Sequence, residues 1–176
     1  MSRYAAGDDA AFGVVYDALA PRLFGYLRRH ASDGARAEDL LQQTFLNLHR
    51  ARSSFVAGAA VLPWAFAIAR RLAIDASRTS RRRPLISEGD GLSDACTLDP
   101  SAEQHMHAAE LAGRLDCAMA LLPESQRVAF ELVKRDGLSF RDAAQVLGTT
   151  VAAVKLRAQR ASHSLRLAAA EPETDA

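Results

Sequence analysis

The chain has 176 residues, a formal net charge of +1, and 49% hydrophobic but only 6% aromatic residues. The apolar fraction is carried largely by Ala and Leu, strong helix formers, which favours an all-α protein of one domain or two small ones. The longest apolar run, residues 59–69, contains Pro63 and is shorter than the roughly 20 residues a bilayer demands. Residues 1–4 do not open a signal peptide, and the two cysteines, Cys96 and Cys117, make no disulfide framework, so a cytoplasmic protein without membrane insertion is expected.

The first helix is expected to begin near Asp8 and Asp9, acids suited to a helix N-terminus, with Phe12, Val15, Leu19, Leu23 and Leu27 at helical spacing. Pro21 opens a new turn or kinks this helix, and Ser32-Asp33-Gly34 stops it. A second helix is predicted over about 35–52. Leu40, Leu41, Thr44, Phe45 and Leu48 share its inward arc, and Asp39, Gln42, Gln43, Leu46 and Arg50 the outward one. A loop over residues 53–62, with Gly58 near its middle, leads to Pro63 at the first position of a third helix that reaches about residues 78–83.

On that third helix Ala65, Ile68, Ala69, Leu72 and Ala76 take one side, and Arg70, Arg71, Arg78, Arg81 and Arg82 an arc of about 120° on the other. Such a face reads as a nucleic-acid surface, with a merely solvated basic face as the alternative. Trp64 and Phe66 sit at its start, where core filling is the better expectation than stacking on bases.

Charge is strongly segregated. Residues 1–84 carry 13 Lys and Arg against 7 Asp and Glu; residues 85–110 carry 6 acids and no base; residues 111–170 carry 9 bases against 5 acids. Two basic modules that meet a polyanion, joined by an acidic segment that avoids it, fit this pattern. The joining segment is rich in Pro, Ser and Gly, as linkers are. A helix resumes near Ser101 or Glu103 with Leu111, Leu115, Ala118 and Leu122 as its stripe. Pro123 starts another helix, with Val128 and Leu132 inward, which stops at Asp136-Gly137.

The last two helices read as a helix-turn-helix. Ser139 and Asp142 resemble a capping box, Gly148 supplies a left-handed turn, and Thr150 caps the helix that starts at Val151. Val151, Val154, Ala158, Ala161 and Leu165 form its buried stripe. Ala152, Ala153, Leu156, Gln159 and Arg160 then point outward, flanked by Lys155 and Arg157. No acid occurs from residue 143 to 170. Small residues near the N-terminus admit base edges and the cations hold phosphates, which is the design of a recognition helix.

Taken in order, the two halves resemble an extracytoplasmic-function (group IV) sigma factor of bacterial RNA polymerase. The resemblance rests on residues 37–45 (Ala-Glu-Asp-Leu-Leu-Gln-Gln-Thr-Phe), on Phe55, Gly58, Val61 and Trp64 followed by Ile68-Ala69-Arg70 and Ile74-Asp75, and on Leu122-Pro123-Glu124-Ser125-Gln126-Arg127 followed by Gly137-Leu138-Ser139 and Val154-Lys155. It implies sigma region 2 over residues 1–83, a flexible acidic linker over 84–107, region 4 over 108–170 and a tail over 171–176. It further implies that Asp39, Gln42, Gln43, Leu46 and Arg50 bind the clamp of the largest polymerase subunit. Ser53, Phe55, Gly58, Trp64, Arg70, Arg71 and Arg78 would engage the melted −10 element. Thr150, Ala152, Ala153, Lys155, Leu156, Arg157, Gln159 and Arg160 would hold the −35 duplex. The flap of the second-largest subunit and an anti-sigma factor are the other implied partners, and no cofactor is.

Three other readings are weighed against this one. A helix-turn-helix regulator without sigma activity would bind duplex DNA on its own. A metal sensor would need Cys96, His105, His107 and Cys117 as ligands, at gaps that match no compact zinc pattern. An enzyme would need a Gly-rich phosphate loop, a nucleophile elbow or a His-Glu metal motif, and the sequence has none.

Overall fold

In the computed structural model, which describes residues 1–82 and 102–170, every regular element among the described residues is helical. The chain forms two compact units, one on residues 1–82 and one carrying most of residues 102–170. The expected linker between them lies largely outside the described residues, as do Cys96 and the tail over 171–176. A helix starts at Ala102, between the two residues near which one was expected to resume, so residues 102–107 of the implied linker are helical.

The N-terminal unit consists of α1 (Ser2–Ala5), a 3₁₀ turn (Asp9–Ala11), α2 (Phe12–His30), α3 (Gly34–Arg50), a second 3₁₀ turn (Arg52–Ser54) and α4 (Val61–Arg82). Helices α2, α3 and α4 pack pairwise around Leu23, Leu27, Leu40, Leu48 and Phe66, all essentially sealed from solvent. Helix α2 runs unbroken through Pro21. An internal proline costs a helix about 3 kcal/mol. Here the ring lies on the exposed side, and burial of Leu19, Leu23, Tyr26 and Leu27 on the other side holds the helix together.

Asp33, expected only to end the preceding helix, is the N-cap of α3. Its Oδ1 accepts the Arg36 amide at 2.7 Å and its Oδ2 the Ser32 hydroxyl at 2.8 Å. The Arg36 N–H above all, then the Ser32 hydroxyl, holds this carboxyl below its ordinary value. With the folded pKa depressed, the cap stabilises the folded state above the unfolded pKa. That contribution is lost as pH falls through the folded one. Inside α3, Thr44 is fully buried and its hydroxyl donates to the Leu40 carbonyl at 2.7 Å. A polar residue thereby sits in the core without an unpaired donor.

Helix α1 has no counterpart in the expected elements. Tyr4 is buried, its hydroxyl bonds the Nδ1 atom of His49, and the Arg52 guanidinium lies 5.2 Å above its ring. Arg52 also meets Asp9 at 3.3 Å, which fastens the first eleven residues to the end of α3. Helix α4 starts at Val61, two residues before the proline expected to open it. It adds Ala73 to the predicted buried side and leaves Ile68, Leu72 and Ala76 half-buried.

The C-terminal unit consists of α5 (Ala102–Leu121), α6 (Glu124–Phe130), a π-helical turn (Glu131–Arg135), α7 (Phe140–Leu147) and α8 (Val151–Ala170). Helix α8 packs against α5 and α6. Met119, Leu122, Ala161 and Leu165 form one buried cluster, with Leu115, Ala118 and Phe130 against it. Leu111, expected in the same stripe, is 36% exposed, because the buried contacts of α5 fall in its second half. Pro123 caps α6 from outside instead of occupying its first position. The π turn closes with the Asp136 amide on the Glu131 carbonyl, and Gly137 takes the positive φ that ends it.

Candidate functional site

The turn between α7 and α8 is built as the residue types dictate. Ser139 Oγ accepts the Asp142 amide at 3.1 Å and donates to the Asp142 carboxylate at 2.7 Å. The carboxylate therefore takes the Ser139 hydroxyl, a local variant of the expected capping box. Gly148 has φ of +60°, and the next amide, of Thr149, bonds back to the Ala144 carbonyl at 3.0 Å. Thr150 Oγ1 then accepts the Ala153 amide at 3.2 Å and caps α8. A β-branched residue at 148 would be forced into a left-handed conformation that costs roughly 1–2 kcal/mol.

Ala144 and Val154 are buried, and Ala158, Ala161 and Leu165 continue the buried stripe of α8. Val151 departs from it at 38% exposed, since it sits in the first turn of the helix, ahead of the packed stretch. Thr150, Ala152, Lys155, Leu156, Gln159 and Arg160 are exposed; Ala153 and Arg157 are half-buried on one flank. The Lys155 ammonium lies 5.7 Å from the centroid of the Phe140 ring. This cation–π contact orients the lysine across the turn. Phe140 was not singled out from sequence, because only the crossing of α7 and α8 places it beside Lys155.

In the N-terminal unit the loop after α3 turns at Gly58, which has φ of +83° and is followed by an Ala59 amide bonded to the Val56 carbonyl. The loop's Phe55 ring lies 5.2 Å from the Trp64 ring of α4, centroid to centroid. Phe66, by contrast, is fully buried against Tyr26, in an edge-on contact at 5.5 Å. The two aromatics at the start of α4 thus part: Phe66 fills the core, and Trp64 is half-buried at the surface. A hollow of about 600 Å³ lies beside Trp64, lined also by Asn47, Arg50, Ile68, Arg71 and Asp75. Ser53, Arg71 and Arg78 are exposed and Arg70 is half-buried. The side chains of Arg81 and Arg82 lie outside the described residues. Arg50, placed from sequence on the same arc as Leu46, borders the Trp64 hollow instead.

The other side of α3 carries a second groove of about 600 Å³. Tyr4, Phe12, Tyr16, Phe45 and Leu46 give it an apolar wall, and Asp9, Gln42 and His49 border it. Tyr16 and Phe45 are 4.6 Å apart, with Phe12 at 6.0 Å from each. Leu46 is 54% exposed, and Asp39, Gln42 and Gln43 surround it in water. Asp39 makes a long 4.0 Å pair with Arg36. In the C-terminal unit a third groove, about 420 Å³, has Met119, Phe130 and Leu165 in its lining, together with Lys134, Arg135 and Arg166. Of the possible metal ligands, Cys117 is exposed on α5, and the side chains of Cys96, His105 and His107 lie outside the described residues.

Comparison with known proteins places this geometry in context. The profile of sigma-70 region 2 matches residues 15–83, and that of sigma-70 region 4 matches residues 112–164. The RNA polymerase sigma factor CarQ of Myxococcus xanthus is 33% identical over 171 residues, covering 94% of this chain and 93% of CarQ. The ECF RNA polymerase sigma factor SigF of Caulobacter vibrioides is 34% identical over 169 residues, covering 94% and 89%. Among solved structures, the sigma factor RpoE in complex with the anti-sigma factor NepR from Bartonella quintana has a TM-score of 0.70 at 23% identity. The match covers 89% of this chain and 95% of that one, a likeness of fold.

Proposed function

Because the chain belongs to the extracytoplasmic-function group of sigma-70 factors and directs transcription initiation as an alternative sigma factor, we propose that its two units divide promoter recognition between α8 and the α3–α4 side. Sigma factors are regulatory initiation factors; in this reading the chain itself catalyses nothing and works in the cytoplasm on the polymerase. A regulator acting through the helix-turn-helix alone leaves the region 2 match without a role.

Helix α8 holds the −35 duplex. The observation that carries this is its acid-free outward face, with Ala152 and Ala153 at the capped N-terminus and Lys155, Arg157 and Arg160 around it. Lys155→Ala or Arg160→Ala is expected to weaken duplex binding on every sequence alike and to flatten the salt slope by about 1 per lost phosphate contact. An unchanged slope, from affinities measured over a salt series, rejects the phosphate role.

The melted −10 strand lies along Ser53, Phe55, Gly58 and Trp64, with Arg70, Arg71 and Arg78 on its phosphates. Unstacking a base costs a few kcal/mol, which the hollow beside Trp64 and the arginine face offset. Arg70→Ala with Arg71→Ala is expected to impair promoter opening several-fold while duplex binding through α8 stays near the parent level. Permanganate footprinting of the holoenzyme checks this, and normal reactivity of the −10 thymines in the double variant counts against it.

Asp39, Gln42, Gln43 and Leu46 dock on the clamp of the largest polymerase subunit, and an anti-sigma factor competes for the same face. The apolar groove with Lys134, Arg135 and Arg166 along it receives the flap of the second-largest subunit. An apolar centre with a polar rim supports both assignments.

A further inference from the structure

We propose that α8 reads neighbouring A·T pairs, Leu156 packing on a thymine C5-methyl group and Gln159 bonding the major-groove edge of an adenine. The inference rests on the assignment of α8 to duplex DNA and carries it to base identity.

At 3.6 residues per turn, Ala152, Leu156 and Gln159 fall within an arc of about 60° on α8. All three are exposed, and Leu156 keeps 48% of its surface in water while the opposite stripe of the helix is buried. On the same wheel Lys155 lies to one side of this arc and Arg160 to the other, the positions from which phosphates of the two groove walls are reached. What remains at the centre is a leucine, an alanine too small to block it, and an amide.

Major-groove chemistry gives each of these one preferred target. The thymine methyl is the apolar group that base edges present there, so an exposed leucine at the groove floor selects thymine. Ala152, one turn earlier, leaves room for the leucine to descend. An uncharged amide offers one donor and one acceptor side by side, which matches adenine N7 and N6. The arc holds no carboxylate to accept from cytosine, and the cations Lys155 and Arg160 stand at its two edges instead of at its centre. Leu156 and Gln159 are three residues apart, roughly 4.5 Å along the helix axis, close enough for the two side chains to reach adjacent pairs.

The test uses holoenzyme reconstituted from core polymerase and the full chain, with a pool of duplex promoters randomised in the −35 window. The parent is expected to enrich adjacent A·T pairs at one register. Deoxyuridine in place of the selected thymine, which removes only the methyl, should then weaken parent binding about fourfold, the worth of one methyl-sized group. It should leave Leu156→Ala unaffected. Replacing the selected adenine by 7-deazaadenine should weaken the parent about tenfold and leave Gln159→Ala unaffected. Enrichment of G·C pairs throughout the window overturns the base assignment, as does an equal deoxyuridine penalty in parent and Leu156→Ala. A parent holoenzyme that enriches no sequence in the window overturns the placement of α8 on the −35 duplex itself, and the base assignment with it.

Discussion

Phe66→Ala is expected to remove about 3–5 kcal/mol from the stability of the N-terminal unit. The ring is fully buried, touches Tyr26 edge-on at 5.5 Å, and sits on the helix that packs against both α2 and α3. Truncation loses the transfer energy of the ring and leaves a cavity that three helices cannot close without moving. Small domains are stable by roughly 5–15 kcal/mol, so most of the margin goes. Trp64 is the chain's one tryptophan and lies in this unit, so its fluorescence in a urea titration of the full chain follows the N-terminal unit alone. The midpoint should fall steeply. Val14→Ala, at a site 74% exposed, should shift stability by no more than about 0.5 kcal/mol. Equal midpoints for Phe66→Ala and the parent contradict the packing described.

Leu46→Glu is expected to leave that same unfolding midpoint nearly unchanged and to weaken binding to core polymerase by about 1–3 kcal/mol, or roughly 5- to 150-fold. Leu46 is 54% exposed, so a carboxylate there is hydrated in the free protein. In a docked complex the carboxylate would be buried beside the apolar groove lined by Tyr16 and Phe45, where an unpaired charge is costly. Titration of core polymerase with labelled protein measures the effect. Folded Leu46→Glu protein that binds core as tightly as the parent places the docking face elsewhere.

The family assignment limits what else these faces need to do. A sigma factor binds DNA as part of an assembly, so the individual faces of α3, α4 and α8 can each be weak. Linked sites reinforce one another through effective concentration. The side chains described above are correspondingly ordinary surface residues, with Leu46 and Leu156 exposing apolar area at faces assigned to a partner.

Helical periodicity by itself determined which side of each long helix is buried. Val15, Leu19, Leu23 and Leu27 of α2, the arc from Leu40 to Leu48 of α3, and Val154, Ala158, Ala161 and Leu165 of α8 are all inward. That follows because an amphipathic stripe has one way to leave water. Local chemistry likewise determined the Gly148 turn and the Thr150 cap, since both bonds span only a few residues. How far a partner helix extends along a stripe was decided only by tertiary packing, which is why Leu111 and Val151 carry the right spacing yet stay in water. Contacts between elements distant in sequence were equally illegible. Tyr4 meets His49 across 45 residues, from a helix of four residues too short to show a period. Arg50 shares an arc with Leu46 on a wheel, but the passage of α4 draws it to the Trp64 hollow. Phe140 reaches Lys155 because a left-handed glycine folds one helix across the next. Spacing along a chain sets a direction around a helix axis; what lies in that direction depends on where the other helices end.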